Sequence, residues 1–184
     1  MKKLLILFLA AFPVITACQG EEETADLNPG GKTMELTSTA FQAEGMIPQK
    51  YTCDGENISP SLAWNQVPEG TESFALIADD PDAPGRTFVH WVIYNIPAGV
   101  NKLPESVPNE ETVLDGAVQG RNSSNNTGYM GPCPPSGTHR YFFKLYALDT
   151  TVQGGSGLSK SDLIDKMKGH VLAEGQLMGK YKRQ

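Results

Sequence analysis

Apolar residues in this chain come in short runs, and each run is stopped by glycine, proline or asparagine. Met34 to Ala40, Ser61 to Trp64, Ser73 to Ala78, Phe88 to Ile96 and Tyr141 to Leu148 are the main ones. Runs of this length, rich in β-branched and aromatic side chains and bounded by turn formers, fit strands better than helices. The pattern predicts a mainly β domain, a sandwich or a barrel. Tyr141 to Leu148 is almost continuous in large apolar residues, which predicts a central strand buried on both faces. Helical signal is confined to the C-terminal part. Ser159 and Asp162 form a capping-box-like start, and Leu163, Met167 and Val171 recur at a spacing of four on one face. Gly169 is expected to interrupt or bend this region. A second turn or helix is expected over Leu172 to Met178, with Gly179 as its stop signal.

The first residues carry a different message. Lys2 and Lys3 precede the apolar run Leu4 to Ala11, and Ile15-Thr16-Ala17-Cys18 follows. A charged start, an apolar stretch too short for an ordinary spanning helix and small residues before a cut site are the marks of a secretory signal. Ile15 to Cys18 also resembles the bacterial lipobox, which implies cleavage before Cys18 and a lipid on that cysteine. The expected organisation is a signal peptide over residues 1–17, a lipidated tether over 18–32 and one domain over 33–184. The tether is rich in Gly, Glu, Asp and Asn and has too little apolar surface to offset its ordering entropy. The chain is then expected as an exported bacterial lipoprotein, held at a membrane through Cys18. Gln19 after the cysteine resembles outer-membrane sorting. Loss of the leader removes two lysines and no acids, moving the formal charge from −6 to −8. An acidic exported domain without a basic patch is a poor partner for nucleic acid.

Two polar segments stand beside the strongest strands. Asp79-Asp80-Pro81-Asp82-Ala83-Pro84 precedes His90-Trp91-Val92-Ile93-Tyr94-Asn95, and Gly128 to Thr138 runs into His139-Arg140-Tyr141. Prolines 81 and 84 fix φ and remove donors, so the acidic segment is a stiff turn. In each case a proline-stiffened loop adjoins a histidine at the edge of an apolar strand. His90, His139 and the Asp80/Asp82 pair are therefore expected to converge at one end of a sheet. Imidazoles can donate to an anion's oxygens, and glycines 131 and 137 permit close backbone approach to a ligand. Arg140 is expected to pair with Asp80 or Asp82, and His170 is read as structural. With Cys18 assigned to lipid, Cys53 and Cys133 remain, either bonded to each other or as free thiols.

These segments together resemble the phosphatidylethanolamine-binding protein family, also called Raf kinase inhibitor proteins, and especially its bacterial branch. The resemblance rests on Tyr51-Thr52-Cys53-Asp54-Gly55, Ser59 to Trp64, Asp79 to Asn95, Gly116 to Asn122 and Gly131 to Tyr141. It implies an antiparallel β-sandwich with short C-terminal helical segments that partly close a small anion pocket at one end. It further implies that Asp80, Asp82, His90, Pro132, His139 and Tyr141 form the pocket wall, with Gly131 and the peptide groups near Pro134 as its floor. The two aspartates would orient the histidines and raise their pKa, or Asp82 would instead brace its loop. Animal members carry a long insertion before the equivalent of His90 that this chain lacks, which implies an open mouth and a ligand smaller than a whole phospholipid.

The expected function is non-catalytic binding of a phosphate-like or phosphoethanolamine-like anion, with no cofactor and no metal. The family's inhibitor members imply a protein target, here a protease or an envelope protein. Two enzyme readings compete. Cys133 with His139 would make a thiol dyad, although Pro132 and Pro134 keep the cysteine out of a helical first turn that would activate it. His90, His139 and an aspartate would make a metal-dependent hydrolase site, but they lack fixed ligand spacing. An interaction module with a vestigial pocket is the third alternative. No nucleophile elbow, phosphate loop or dinucleotide fingerprint is present in the sequence.

Overall fold

The computed structural model describes residue 27 and residues 31–184. The expected signal peptide, the expected lipidation of Cys18 and most of the expected tether lie outside the described residues. Nine strands form two antiparallel sheets: β1 (Glu35–Thr37), β2 (Leu62–Asn65), β3 (Ser73–Asp80), β4 (Phe88–Pro97), β5 (Lys102–Leu103), β6 (Thr112–Val113), β7 (Ala117–Gln119), β8 (His139–Leu148) and β9 (Val171–Tyr181). The smaller sheet has the order β1-β2-β5 and the larger β6-β7-β4-β3-β8-β9. One helix, α1 (Lys160–Met167), lies between β8 and β9 in the chain. This is the expected mainly β sandwich.

Strand periodicity explains why β3 is buried at every position. Phe74, Leu76 and Ala78 face the inter-sheet core with Leu36, Leu62 and Trp64. Ala75 and Ile77 face the opposite side, where they meet Leu163 and Met167 of α1 together with Val92 and Tyr94. The large sheet is thus covered on one face by the small sheet and on the other by α1. β8 behaves likewise: Tyr141, Phe143 and Leu145 point into the sandwich, and Tyr146 and Leu148 point toward the helix side. At α1 the capping box forms as its residues suggest, with Ser159 Oγ accepting from the Asp162 amide. Asp79, buried at the end of β3, is held by Lys144 at 3.0 Å and by Lys160 at 2.8 Å, which ties the start of α1 to the sheet.

The second C-terminal helix is not formed. Leu172 to Met178 lies within β9, an eleven-residue strand paired along β8 from Leu148↔Val171 to His139↔Tyr181. Val171, Ala173, Gly175, Leu177, Gly179 and Tyr181 are all buried, a period of two rather than 3.6. Glycine 179 is a packing residue and not a stop: a Cβ there would stand 2.6 Å from Ile47 Cγ1 and 2.7 Å from the Phe41 ring. The helix ends at Met167, and Gly169 turns the chain with φ of +80°. The outer edge of β9 is occupied by the chain's own N-terminal segments. Met34 and Ile47 donate to the Glu174 and Lys180 carbonyls at 2.7 and 2.8 Å, and the Glu174 and Lys180 amides donate back to Lys32 and Gly45.

Candidate functional site

Sheet order builds the site. β3 lies between β4 and β8, so Asp80 at the end of β3 sits between His90 on β4 and His139 at the start of β8. All three are buried. Asp80 Oδ2 accepts from His139 Nδ1 at 2.7 Å, and its Oδ1 accepts from the Asp82 amide at 2.8 Å. The carboxylate therefore closes the turn at Pro81 and orients one imidazole with the same group. His90 is held differently. Its Nδ1 lies 2.7 Å from the Met130 carbonyl, which can only accept, so Nδ1 carries the proton. The Met130 amide returns a bond to the His90 carbonyl at 2.9 Å. Phe88 and Tyr141 pack on the His90 ring at centroid distances of 4.8 and 5.2 Å. In neither histidine does Nε2 meet a hydrogen-bond partner among the described residues.

A cleft of about 330 Å³ opens here, lined by Asp80, Phe88, His90, Met130, Pro134 and His139, with Arg86, Ser124 and Cys133 at its sides. The expected wall is only partly this one. Asp82 points away and is gripped by Arg140, which donates Nε and its backbone amide to Oδ2, both at 2.9 Å, and Nη2 to Oδ1 at 2.6 Å. This fork holds the Asp82 carboxyl down at about 2, with the Arg140 side-chain hydrogen bonds as the main cause. Asp82 is thus a brace for the loop. Tyr141 is also behind the lining. Its hydroxyl is buried beside Asp80 without a well-formed hydrogen bond, and burial pushes its pKa strongly up.

Gly131 and Pro132 serve the protein itself. A Cβ on Gly131 would stand 2.5 Å from the Tyr51 carbonyl, and its amide donates to Asn57 Oδ1 at 2.7 Å. The close approach permitted by this glycine is to the 51–57 segment. Pro132 offers its carbonyl to the Cys53 amide at 3.1 Å. Beside it, Cys53 and Cys133 are bonded, with Cα atoms 5.4 Å apart. That removes Cys133 as a nucleophile, because the sulfur has no thiolate to offer. No residue of α1 lines the cleft, so the C-terminal helix does not close it. Among the described residues no three His, Cys, Asp or Glu side chains stand in a metal-holding group.

The expected upward pull of both aspartates on both histidines fails for His90. Burial lowers its pKa, outweighing the Met130 carbonyl and the Asp80 and Asp79 charges that oppose it. His170 is exposed, 2.8 Å from Asp149 and distant in the fold from the other two. Residues that the motifs did not single out are Arg86, Phe88, Ser124 and Met130. Phe88 was legible as the residue two before His90 on the same strand face; the other three come from loops, where spacing carries no facing information.

The phosphatidylethanolamine-binding protein family profile matches residues 37–182, which takes in every strand from β2 to β9, α1 and every residue of the cleft. This chain belongs to that family. Over 150 residues it is 55% identical to a UPF0098 protein of Methanothermobacter thermautotrophicus, covering 82% of this chain and 99% of the relative. A UPF0098 protein of Aquifex aeolicus is 49% identical, with 84% and 91% covered. Among solved structures, a phosphatidylethanolamine-binding protein homolog from Chlamydia trachomatis superposes with a TM-score of 0.77 at 39% identity, covering 84% of this chain and all of that one. Escherichia coli YbcL, described as a new member of the mammalian family, gives 0.77 at 36% identity, with 82% and 99% covered. Both solved structures therefore share the sandwich fold of this chain.

Proposed function

We propose that this protein is a non-catalytic binding protein whose cleft takes a small phosphate-like or phosphoethanolamine-like anion. One arrangement supports this reading: two buried imidazoles flanking Asp80 each spend Nδ1 on the protein and leave Nε2 for a visitor. His90 is neutral near pH 7, so its Nε2 is an acceptor. His139 is held at Nδ1 by the Asp80 carboxylate at 2.7 Å, which leaves Nε2 as the ring nitrogen for a ligand. Hydrogen phosphate carries both a P–O–H and charged oxygens, so it can meet a ring nitrogen as donor or as acceptor. Arg86 adds positive charge at the rim. The group that would turn such a cleft into a thiol hydrolase is locked in the Cys53–Cys133 bond.

Histidine side-chain NMR of the protein titrated with phosphate, acetate and phosphoethanolamine tests the reading. Phosphate is expected to shift His90 and His139 and to leave His170 in place; unmoved His90 and His139 signals reject the cleft as an anion site. The same proposal puts the domain on a membrane of the bacterial envelope, through cleavage before Cys18 and lipid on that cysteine. Metabolic labelling with a fatty-acid analogue should mark the wild type and not Cys18→Ser. Label retained by the variant refutes the anchor.

A further inference from the structure

A second cleft of about 430 Å³ adjoins the first. It is lined by Arg86, Arg121, Ser123, Ser159, Lys160 and Ser161, among others. Arg86 lines both clefts, and the shared wall is made of chain neighbours in two segments: Thr87 and Ser123 on one side, Phe88 and Ser124 on the other. Charge in the second cleft is unbalanced. Lys160 is engaged by Asp79, and Asp165, the one acid among the lining residues, is paired with Lys168 at 2.7 Å. Neither Arg86 nor Arg121 has an ion-pair partner among the described residues. Among the described residues the Arg121 side chain bonds only the Asn125 carbonyl, through one Nη at 3.1 Å, which leaves most of its fork of donors unused. In a chain of net charge −6, two unneutralised guanidiniums on one polar cleft beside a histidine-lined cleft mark a place for negative charge.

We propose that the Arg86–Arg121 cleft is a second anion subsite continuous with the first, so that the ligand class is a small molecule carrying two anionic groups, one for each cleft. This rests on the reading of the histidine cleft as an anion site. Arg86 stands between the groups and serves both. Arg121 and the Ser123 hydroxyl hold the outer one, and the guanidinium fork sets a preference for phosphate or carboxylate over a single point charge.

The experiment is calorimetric titration of the full chain with inorganic phosphate and with fructose 1,6-bisphosphate, in the wild type, Arg121→Gln and Arg121→Lys, with amide NMR in parallel. The wild type is expected to bind the bisphosphate about ten-fold more tightly than phosphate. Arg121→Gln should bring that ratio close to one, and Arg121→Lys should keep part of it. The bisphosphate should move the Ser123 and Ser161 amides, which phosphate leaves in place. A wild-type ratio near one, or a ratio that Arg121→Gln does not change, overturns the second subsite while phosphate shifts at His90 and His139 still uphold the first. Absence of those histidine shifts overturns both.

Discussion

Asp80 ends β3 with its side chain turned under the sheet edge, whereas Asp82, one proline further on, faces Arg140 from the surface. Their consequences separate in experiment. Asp80→Asn should weaken phosphate binding about ten-fold, since it removes the carboxylate that orients the His139 ring. Asp82→Asn should change that affinity less than about two-fold, because its carboxylate serves the loop. Its signature is acid stability: a carboxyl depressed from 3.8 to about 2 stabilises the fold above 3.8 and loses that contribution as pH falls toward 2. Denaturation midpoints between pH 5 and 2 should therefore fall less steeply in Asp82→Asn. His90 acts in a higher window. Its folded pKa lies below the ordinary 6.5, so its contribution is complete above 6.5 and is lost as pH drops beneath it. Urea midpoints at pH 7.5 and 5.5 should differ in the wild type, and His90→Gln should narrow the gap. At this scale the sequence showed which residues are polar beside strands. It did not show which way Asp82 and Gly131 turn, because that depends on Arg140 and on the distant Tyr51–Asn57 segment.

Strands were legible wherever a run was long enough to carry its own periodicity. Phe88 to Ile96 and Tyr141 to Leu148 are close to β4 and β8 as built, and β3 extends its run by Asp79 and Asp80. The two-residue strands β5 and β6 were invisible, because a pair of residues has no period to read. β9 was misread for a different reason. Val171 continues the four-residue spacing of Leu163 and Met167, and two of the inward positions that would have revealed a period of two are glycines. Those glycines carry the test. Gly179→Ala should destabilise the protein by roughly 1–3 kcal/mol in denaturant titration, because its methyl group would overlap Ile47 and Phe41. A surface glycine such as Gly99, with nothing within 4 Å of a built Cβ, is the control.

Across the whole molecule, one covalent link and one closed edge set what the sandwich can endure. The Cys53–Cys133 bond spans 80 residues and ties the 3₁₀ turn at Gln49–Tyr51 to the loop that carries Met130 and Pro134 beside the cleft. In the loop-entropy account a closure of that length is worth about 4.5 kcal/mol. Cys133→Ser should lower thermal stability to match and loosen anion binding, as read by melting and by phosphate titration. Sequence left the pairing open because nothing in the spacing of two cysteines fixes the distance between their Cα atoms. The closed edge is that of β9, where residues 32–34 and 44–47 take up backbone groups that a terminal strand leaves bare. Such a rim is where one molecule ordinarily recruits the next into a growing fibril. Here the Glu174 and Lys180 amides and the carbonyls of Glu174, Met178 and Lys180 are already spent, so this rim has fewer groups left with which to template a neighbouring copy.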